Sequence, residues 1–160
     1  MHLLIAAVGR LKQGPERELV SHYAGRIEAA GRSHALGPLE IVELPESRAA
    51  TADLRKVDEA ARLLNAAGKA EALVVLDETG KPATSRAFAE FLRVKRDGGC
   101  ARIALAIGGP DGHGAQIIRK SALVLQLGAM TLPHGLARIV LLEQIYRAVT
   151  IIGGHPYHRD

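Results

Sequence analysis

The residues best equipped for acid–base chemistry lie close together at 154–159, in the sequence GHPYHR. This segment brings two imidazoles, a phenol and a guanidinium next to a rigid proline, and it is too short to build a core. A neutral imidazole can accept a proton near physiological pH, and a guanidinium can stabilise developing negative charge. The alternative is a solvated, polar chain end, since such ends commonly fray. The segment alone leaves both interpretations open.

Three glycine-bearing segments are the next candidates for a site: 76–82 (LDETGKP), 107–114 (IGGPDGHG) and 127–134 (LGAMTLPH). Glycine lets a ligand approach the backbone closely, and Leu76, Ile107, Leu127 and Leu132 would supply apolar walls. The combination predicts a pocket for a flat heterocycle with a small polar tail. Phosphate-binding fingerprints are missing, because neither G-x-x-x-x-G-K-[ST] nor G-x-G-x-x-G occurs. Each segment taken alone is equally typical of a tight turn.

Metal and nucleophile chemistry find no support in the sequence. His113, His134, His155 and His158 lack the spacing of metal ligands in a fixed element. No G-x-S-x-G elbow is present either. We therefore expect no metal site.

The elements that would position these residues alternate regularly between strand and helix. This alternation predicts a single α/β domain over 1–160, with a mostly parallel sheet and helices on both faces. The three glycine segments then follow strands, at the edge where such folds bind ligands. The predicted strands are 3–8, 39–44, 71–77, 102–107 and 122–127; the predicted helices are 15–32, 51–68, 85–95 and 134–152.

Two helices carry more detailed expectations. In the helix from 51, the spacing of Leu54, Val57, Ala61 and Leu64 predicts the buried face. The helix 134–152 is apolar on most sides, wider than the stripe of a surface helix. A small domain offers limited cover for such a helix, so we expect it to form a dimer interface. Charge substitutions at Ile145 or Val149 should then lower activity more than folding.

Composition restricts the partners and the compartment. A formal charge of +4 favours an anionic partner such as nucleic acid. Aromatic residues make up only 3%, so RNA would be bound through phosphates and shape and not through base stacking. The single cysteine, Cys100, fits a reducing compartment. No stretch resembles a signal peptide or reaches the roughly 18 apolar residues of a membrane helix. We expect a cytoplasmic protein without membrane contact.

Five ordered motifs make the chain similar to a known family. LDETGK at 76–81, IGGPDG at 107–112, MTLPH at 130–134, EQIYRA at 143–148 and HPYHR at 155–159 span nearly the whole sequence. Together they resemble the RlmH family of ribosomal RNA large-subunit methyltransferases, within the SPOUT superfamily. One departure is Gly128, where the family pattern has serine, so one hydroxyl contact to the cofactor is in doubt.

The resemblance implies properties that the residue pattern does not reach. It implies a homodimer with a C-terminal trefoil knot that binds S-adenosylmethionine and methylates N3 of a pseudouridine, pseudouridine-1915, in 23S rRNA of the assembled ribosome. The cofactor pocket would be lined by nine residues: Leu76, Gly108, Gly109, Leu127, Gly128, Ala129, Met130, Thr131 and Leu132.

Roles in catalysis follow from the chemistry that the resemblance implies. The pseudouridine N3–H must lose its proton, and His158 is the candidate for proton transfer or base contact. Arg159 and Arg138 are candidates for charge stabilisation or phosphate binding, and Tyr157 for contact with the target base. In a dimer the segment could complete the partner's pocket. Two alternatives stay open: a SPOUT-like methyltransferase with another RNA target, and a non-catalytic ribosome-binding factor.

Overall fold

Five parallel strands form one sheet in the order β2-β1-β4-β3-β5. The structure is a computed structural model, and it describes residues 1–157. The strands are β1 His2–Val8, β2 Leu39–Leu44, β3 Ala72–Pro82, β4 Arg102–Ile107 and β5 Leu123–Gln126. The helices are α1 Pro15–Gly31, α2 Ala52–Ala67, α3 Ser85–Asp97, α4 Ala115–Lys120 and α5 His134–Ile152, with a 3₁₀ turn at Arg32–His34.

Alternate residues of the central strands point to opposite faces and build two apolar cores. Leu3 and Ile5 of β1 face the core beneath α1, α3 and α5. Leu4 and Ala6 face the core beneath α2 and α4. The predicted α/β fold, with a parallel sheet and helices on both faces, is confirmed.

Most element boundaries match the predicted ones, because capping residues mark them. Thr51 accepts a hydrogen bond from Leu54 N at the start of α2, and Gly68 ends that helix. Two features differ from the prediction: one helix was not predicted, and one strand is longer. The six-residue helix α4 is too short to show a periodicity. The strand β3 continues to Pro82, because Lys81 and Pro82 pair with β5 after an irregularity that begins at Leu76.

The predicted buried face of α2 is wrong for Leu54, Val57 and Ala61, which are exposed, whereas Leu64 packs against the core. Leu54 is 55% exposed and Val57 is 53% exposed. The buried residues are Glu59, Ala60, Leu63 and Ala67. Glu59 takes an inward position because its carboxylate accepts a hydrogen bond from Ser47 N, 2.8 Å away. A polar side chain with a distant partner therefore rotates the helix away from its most apolar stripe.

The environment of α5 corrects the expectation that charge substitutions at Ile145 or Val149 would act on a dimer interface. This helix lies between α1 and α3 on the sheet, so the domain covers most of it without a partner. Ile145 and Val149 are fully buried in the chain's own core. A charge at either position would therefore disrupt folding, and neither position can report on dimer formation. Leu136, at 44% exposure, is the large apolar residue that α5 leaves uncovered within 1–157.

None of the helices within residues 1–157 combines the length and the apolar character needed to cross a membrane.

Candidate active site

A cleft of about 410 Å³ lies at the carboxyl edge of the sheet, where β3, β4 and β5 end. Its volume falls in the range of small-molecule sites, roughly 300–1,000 Å³. Strand register assembles it, because Leu76 of β3 and Ile107 of β4 are paired neighbours and Leu76 also pairs with Leu125 of β5. The segments that follow these three strands must therefore meet, as the glycine pattern predicts.

The segment 107–114 is clamped onto α2. Arg55 forms two hydrogen bonds with the Asp111 carboxylate, at 2.6 Å from Nε and 3.1 Å from Nη2. These bonds hold the pKa of Asp111 below its usual range. Gly109 packs on the buried Glu59, and a Cβ at this position would lie 2.5 Å from Glu59 Oε2. Only glycine fits here without moving a buried carboxylate, so this wall of the cleft is fixed.

His113 lies in the same segment, and its sequence spacing gives it no role beyond that of a rejected metal ligand. Both its ring nitrogens are buried, and neither has a hydrogen-bond partner of good geometry. Burial lowers the pKa of His113, although the Asp77 carboxylate and the Leu76 carbonyl oppose that shift. The ring packs against Gly108, where a Cβ would lie 3.1 Å from ring atoms. The neutral imidazole of His113 therefore packs against Gly108 and lines the cleft near the ends of β3 and β4.

The segment after Leu76 gives the cleft an acidic side. Asp77 and Glu78 both line it. Asp77 Oδ1 accepts hydrogen bonds from Thr79 N at 2.9 Å and Thr79 Oγ1 at 2.6 Å, which fixes the carboxylate. Gly80 then lies against β5, since a Cβ there would be 2.8 Å from backbone atoms of Val124 and Leu125. Asp77 and Glu78 would repel a triphosphate and attract a cationic ligand.

Eight of the nine residues predicted to bind the cofactor come together in this cleft. They are Leu76, Gly108, Gly109, Leu127, Gly128, Met130, Thr131 and Leu132. Ala129 does not line it. Lining residues that the sequence analysis did not assign include Lys56, Asp77, His113 and Gln126. Lys56 belongs to α2 and follows Arg55, whose contact with Asp111 holds the segment 107–114 against this helix.

Tyr157 does not line the cleft and packs against the core beside α5 and α1. Its ring packs edge-on against Tyr146 at 4.7 Å between centroids, and the guanidinium carbons of Arg26 and Arg147 lie 5.1 Å from its centroid. Its hydroxyl is 3.3 Å from Glu143 Oε1. Burial, together with the nearby Glu143 carboxylate, raises the pKa of this phenol. The predicted catalytic residues His158 and Arg159 lie outside the described residues.

Arg138 does not occupy the position that a phosphate-binding residue needs. It is fully buried, with Nη1 paired to Glu43 Oε1 and Nη2 bonded to the Gly9 carbonyl at 2.8 Å. Burial raises the pKa of Glu43, but the Leu11 amide, Arg138 and Arg17 outweigh it and hold the pKa below its ordinary value. The Arg138 guanidinium is thus part of an internal network, whereas the sequence made it a candidate for charge stabilisation or phosphate binding.

Residues 1–157 contain no group of three or more His, Cys, Asp or Glu side chains that could hold a metal ion.

Comparisons with known proteins agree with this geometry. Residues 1–158 match the family described as "Predicted SPOUT methyltransferase". Ribosomal RNA large subunit methyltransferase H of Brucella anthropi is 49% identical over 160 residues, covering 100% of both chains. The protein of that name from Methylobacterium nodulans is 49% identical over 99% of this chain and 98% of its own.

Among solved structures, a probable methylase family protein from Haemophilus influenzae superposes with a TM-score of 0.55 at 14% identity. It covers 99% of this chain and 70% of that one, and the likeness concerns the fold alone. The full-length family match and the two close relatives together identify the chain as a member of the SPOUT methyltransferases, in the family of ribosomal RNA large subunit methyltransferase H.

Proposed function

We propose that the protein is an S-adenosylmethionine-dependent methyltransferase that methylates N3 of a pseudouridine in 23S rRNA, with the assembled ribosome as substrate. The observation that carries this proposal is the cleft at 76–82, 107–114 and 127–134, with glycine walls and an acidic side. Full-length identity of 49% to relatives named as large-subunit rRNA methyltransferases supports the RNA substrate.

The chemistry of the cleft fits this cofactor. Leu76, Ile107 and Leu132 offer apolar surface for an adenine ring, and the backbone around Gly108 can approach its polar edges closely. The carboxylates of Asp77 and Glu78 match a ligand that carries a sulfonium and an ammonium. When bound, S-adenosylmethionine supplies an electrophilic methyl group.

The remaining chemistry is deprotonation of the pyrimidine N3–H and stabilisation of the resulting charge. We propose that His158 accepts or relays this proton and that Arg159 stabilises the negative charge on the ring carbonyls. Tyr157 supports the proposal indirectly, because its contacts with Tyr146 and Glu143 anchor the residue next to His158. Tyr157 then positions the catalytic pair, and contact between its own ring and the base would require it to leave this site.

We also propose a homodimer formed through the outer side of α5, in which the C-terminal segment of one subunit completes the cleft of the other. Leu136, exposed on α5 one residue before the cleft residue Ala137, supports this surface. Leu136→Glu should shift sedimentation from dimer to monomer. Leu54→Glu, at a residue of similar exposure on the opposite face, is the matched control and should stay dimeric. A dimeric Leu136→Glu variant would refute this interface.

A single domain over 1–160 and a trefoil knot around the cleft belong to the same proposal. One sheet shared by both cores supports the single domain.

Two measurements test the function. Calorimetry should detect binding of one S-adenosylmethionine per subunit. After the protein and cofactor are incubated with unmodified ribosomes, mass spectrometry of the 23S rRNA should find a new methyl group on a pseudouridine. Cofactor binding with a methyl elsewhere would favour another RNA target. Ribosome binding without cofactor binding would favour a non-catalytic factor. Deleting 157–160 should abolish transfer but keep cofactor binding, and unchanged transfer would refute the role of the segment.

A further inference from the structure

The loop 9–14, between β1 and α1, has the sequence GRLKQG and lies beside the cleft. Ala7 of β1 pairs with Ile107 of β4 in parallel, so the segments that follow these two strands leave the sheet side by side at the same edge. Adjacent strands are about 4.8 Å apart. The loop therefore begins next to the glycine segment 107–114, and residues from both lie at one opening.

Side chains from three different elements fix the backbone of this loop. The Gly9 carbonyl accepts a hydrogen bond from Arg138 of α5. The Leu11 amide donates to Glu43 of β2 at 3.1 Å, and the Leu11 carbonyl accepts from Arg17 of α1. Glu43 links these contacts, because its carboxylate also pairs with Arg138 and with Arg17. The loop is consequently held in one shape by an ion-pair network, an arrangement unusual for a short surface connection.

The fixed backbone presents two cations to solvent. Leu11 packs against the core, and the residues on either side of it, Arg10 and Lys12, are exposed. Neither forms an ion pair or hydrogen bond with any residue of 1–157. Arg17 and Arg138 nearby are already paired with Glu43. The loop thus exposes unneutralised charge beside the cleft while the neighbouring arginines are used internally.

A third cation extends the same surface. Val8 pairs with Leu44, so the segment after β2 lies on the other side of the loop, and its Arg48 is exposed. Carboxylates are also present: Glu46 Oε1 would lie 3.8 Å from a Cβ at Gly9, and Glu16 and Glu18 follow the loop in the first turn of α1. Within the loop and on its β2 side, the exposed cations Arg10, Lys12 and Arg48 outnumber the single exposed carboxylate of Glu46. The loop sequence GRLKQG contains no aromatic residue, so this surface suits phosphates better than bases.

We propose that Arg10 and Lys12 bind backbone phosphates of the RNA next to the target nucleotide, and that the loop 9–14 sets the register of the RNA on the cleft. This inference rests on the proposed function, because it assumes an RNA substrate. It also gives Glu43 and Arg138 a reason to be buried as a charged pair, which is to hold a phosphate-binding loop from inside.

The test compares two double variants with the same change in charge. Arg10→Ala/Lys12→Ala removes the proposed contacts. Arg119→Ala/Lys120→Ala removes two exposed, adjacent cations at the end of α4, towards the opposite edge of the sheet. Binding to bacterial ribosomes is measured over a range of salt concentrations, together with S-adenosylmethionine affinity and methyl transfer.

We expect the loop variant to bind ribosomes about tenfold or more weakly, with a salt dependence lower by about one to two phosphate contacts. Its cofactor affinity should be unchanged, and the α4 variant should match the wild type. Equal losses in both variants, or no loss in the loop variant, would overturn the inference. A wild type that binds ribosomes but transfers no methyl refutes the proposed function and leaves the loop comparison decisive.

Discussion

The buried pair of Arg138 and Glu43 gives the sharpest stability prediction. Arg138 has 1% of its side chain exposed, and Glu43 has 23%. Glu43→Ala would leave the guanidinium inside the protein without its counter-charge. Removing one member of a buried ion pair typically costs about 3–5 kcal/mol. In a domain of this size each kcal/mol shifts the Tm by about 2–4 °C, so we expect a decrease of roughly 6–20 °C.

A matched control lies on the same strand. Glu40 pairs with Arg102, whose side chain is 30% exposed. Glu40→Ala should cost about 1 kcal/mol or less, because a solvent-exposed pair contributes little. Urea unfolding followed by circular dichroism gives both free energies, provided that the m-values agree with that of the wild type. The two variants differ in how far the partner arginine is buried and in the contacts of Glu43 with Arg17 and the Leu11 amide.

The double variant Glu43→Ala/Arg138→Met separates charge burial from packing. Removing the stranded charge should recover at least about 2 kcal/mol relative to Glu43→Ala alone. The pH dependence adds a check of sign. The pKa of Glu43 is lowered in the folded protein, so its stabilisation is present above the ordinary value of 4.5 and is lost as the pH falls through the folded-state value. A Glu43→Ala loss no larger than that of Glu40→Ala would refute the reasoning.

Three further predictions concern single sites. The pKa of His113 is lowered in the folded protein, so the wild type should lose stability as the pH falls from 6.5 through the folded-state value. Urea midpoints at pH 5 and 7.5 should show a smaller loss of stability at pH 5 in His113→Leu than in the wild type. Equal losses in the two proteins would contradict this. Gly80→Ala should cost about 1–3 kcal/mol in thermal unfolding because it meets the β5 backbone, whereas Gly25→Ala, in open space on α1, should be neutral or stabilising. Tyr157→Phe should retain most methyl transfer and Tyr157→Ala should lose it, since ring packing provides most of the contacts; similar rates would argue against this anchor.

Local sequence signals account for the sheet and most of its helices. The strand β2 has the predicted bounds because Pro38 and Pro45 flank an apolar run. The helix α5 has its predicted bounds between Pro133 and Gly153. The cleft was also predictable, because three glycine segments follow strands that a parallel sheet must bring to one edge.

Two of the errors, those on Arg138 and on α2, have one physical origin, which is pairing between residues far apart in the sequence. The burial of Arg138 depends on Glu43, 95 residues away, and on Gly9, 129 residues away. The rotation of α2 depends on Glu59 meeting Ser47 and Gly109. A periodicity records which side chains are apolar, and it cannot record which polar side chain will find a partner. Polar residues with internal partners are therefore the ones that sequence patterns misplace.

Charge is separated along the carboxyl edge of the sheet in a way that suits two ligands of opposite charge. Asp77 and Glu78 follow β3, and Arg10 and Lys12 follow β1, with β4 between them. Two strand spacings amount to about 10 Å, which is longer than the Debye length of about 8 Å at physiological salt. Each ligand is then attracted by its own side and largely screened from the other. A cationic methyl donor and a polyanionic RNA can approach the same opening because the segment after the strand between their sites has one carboxylate, Asp111, which is paired with Arg55.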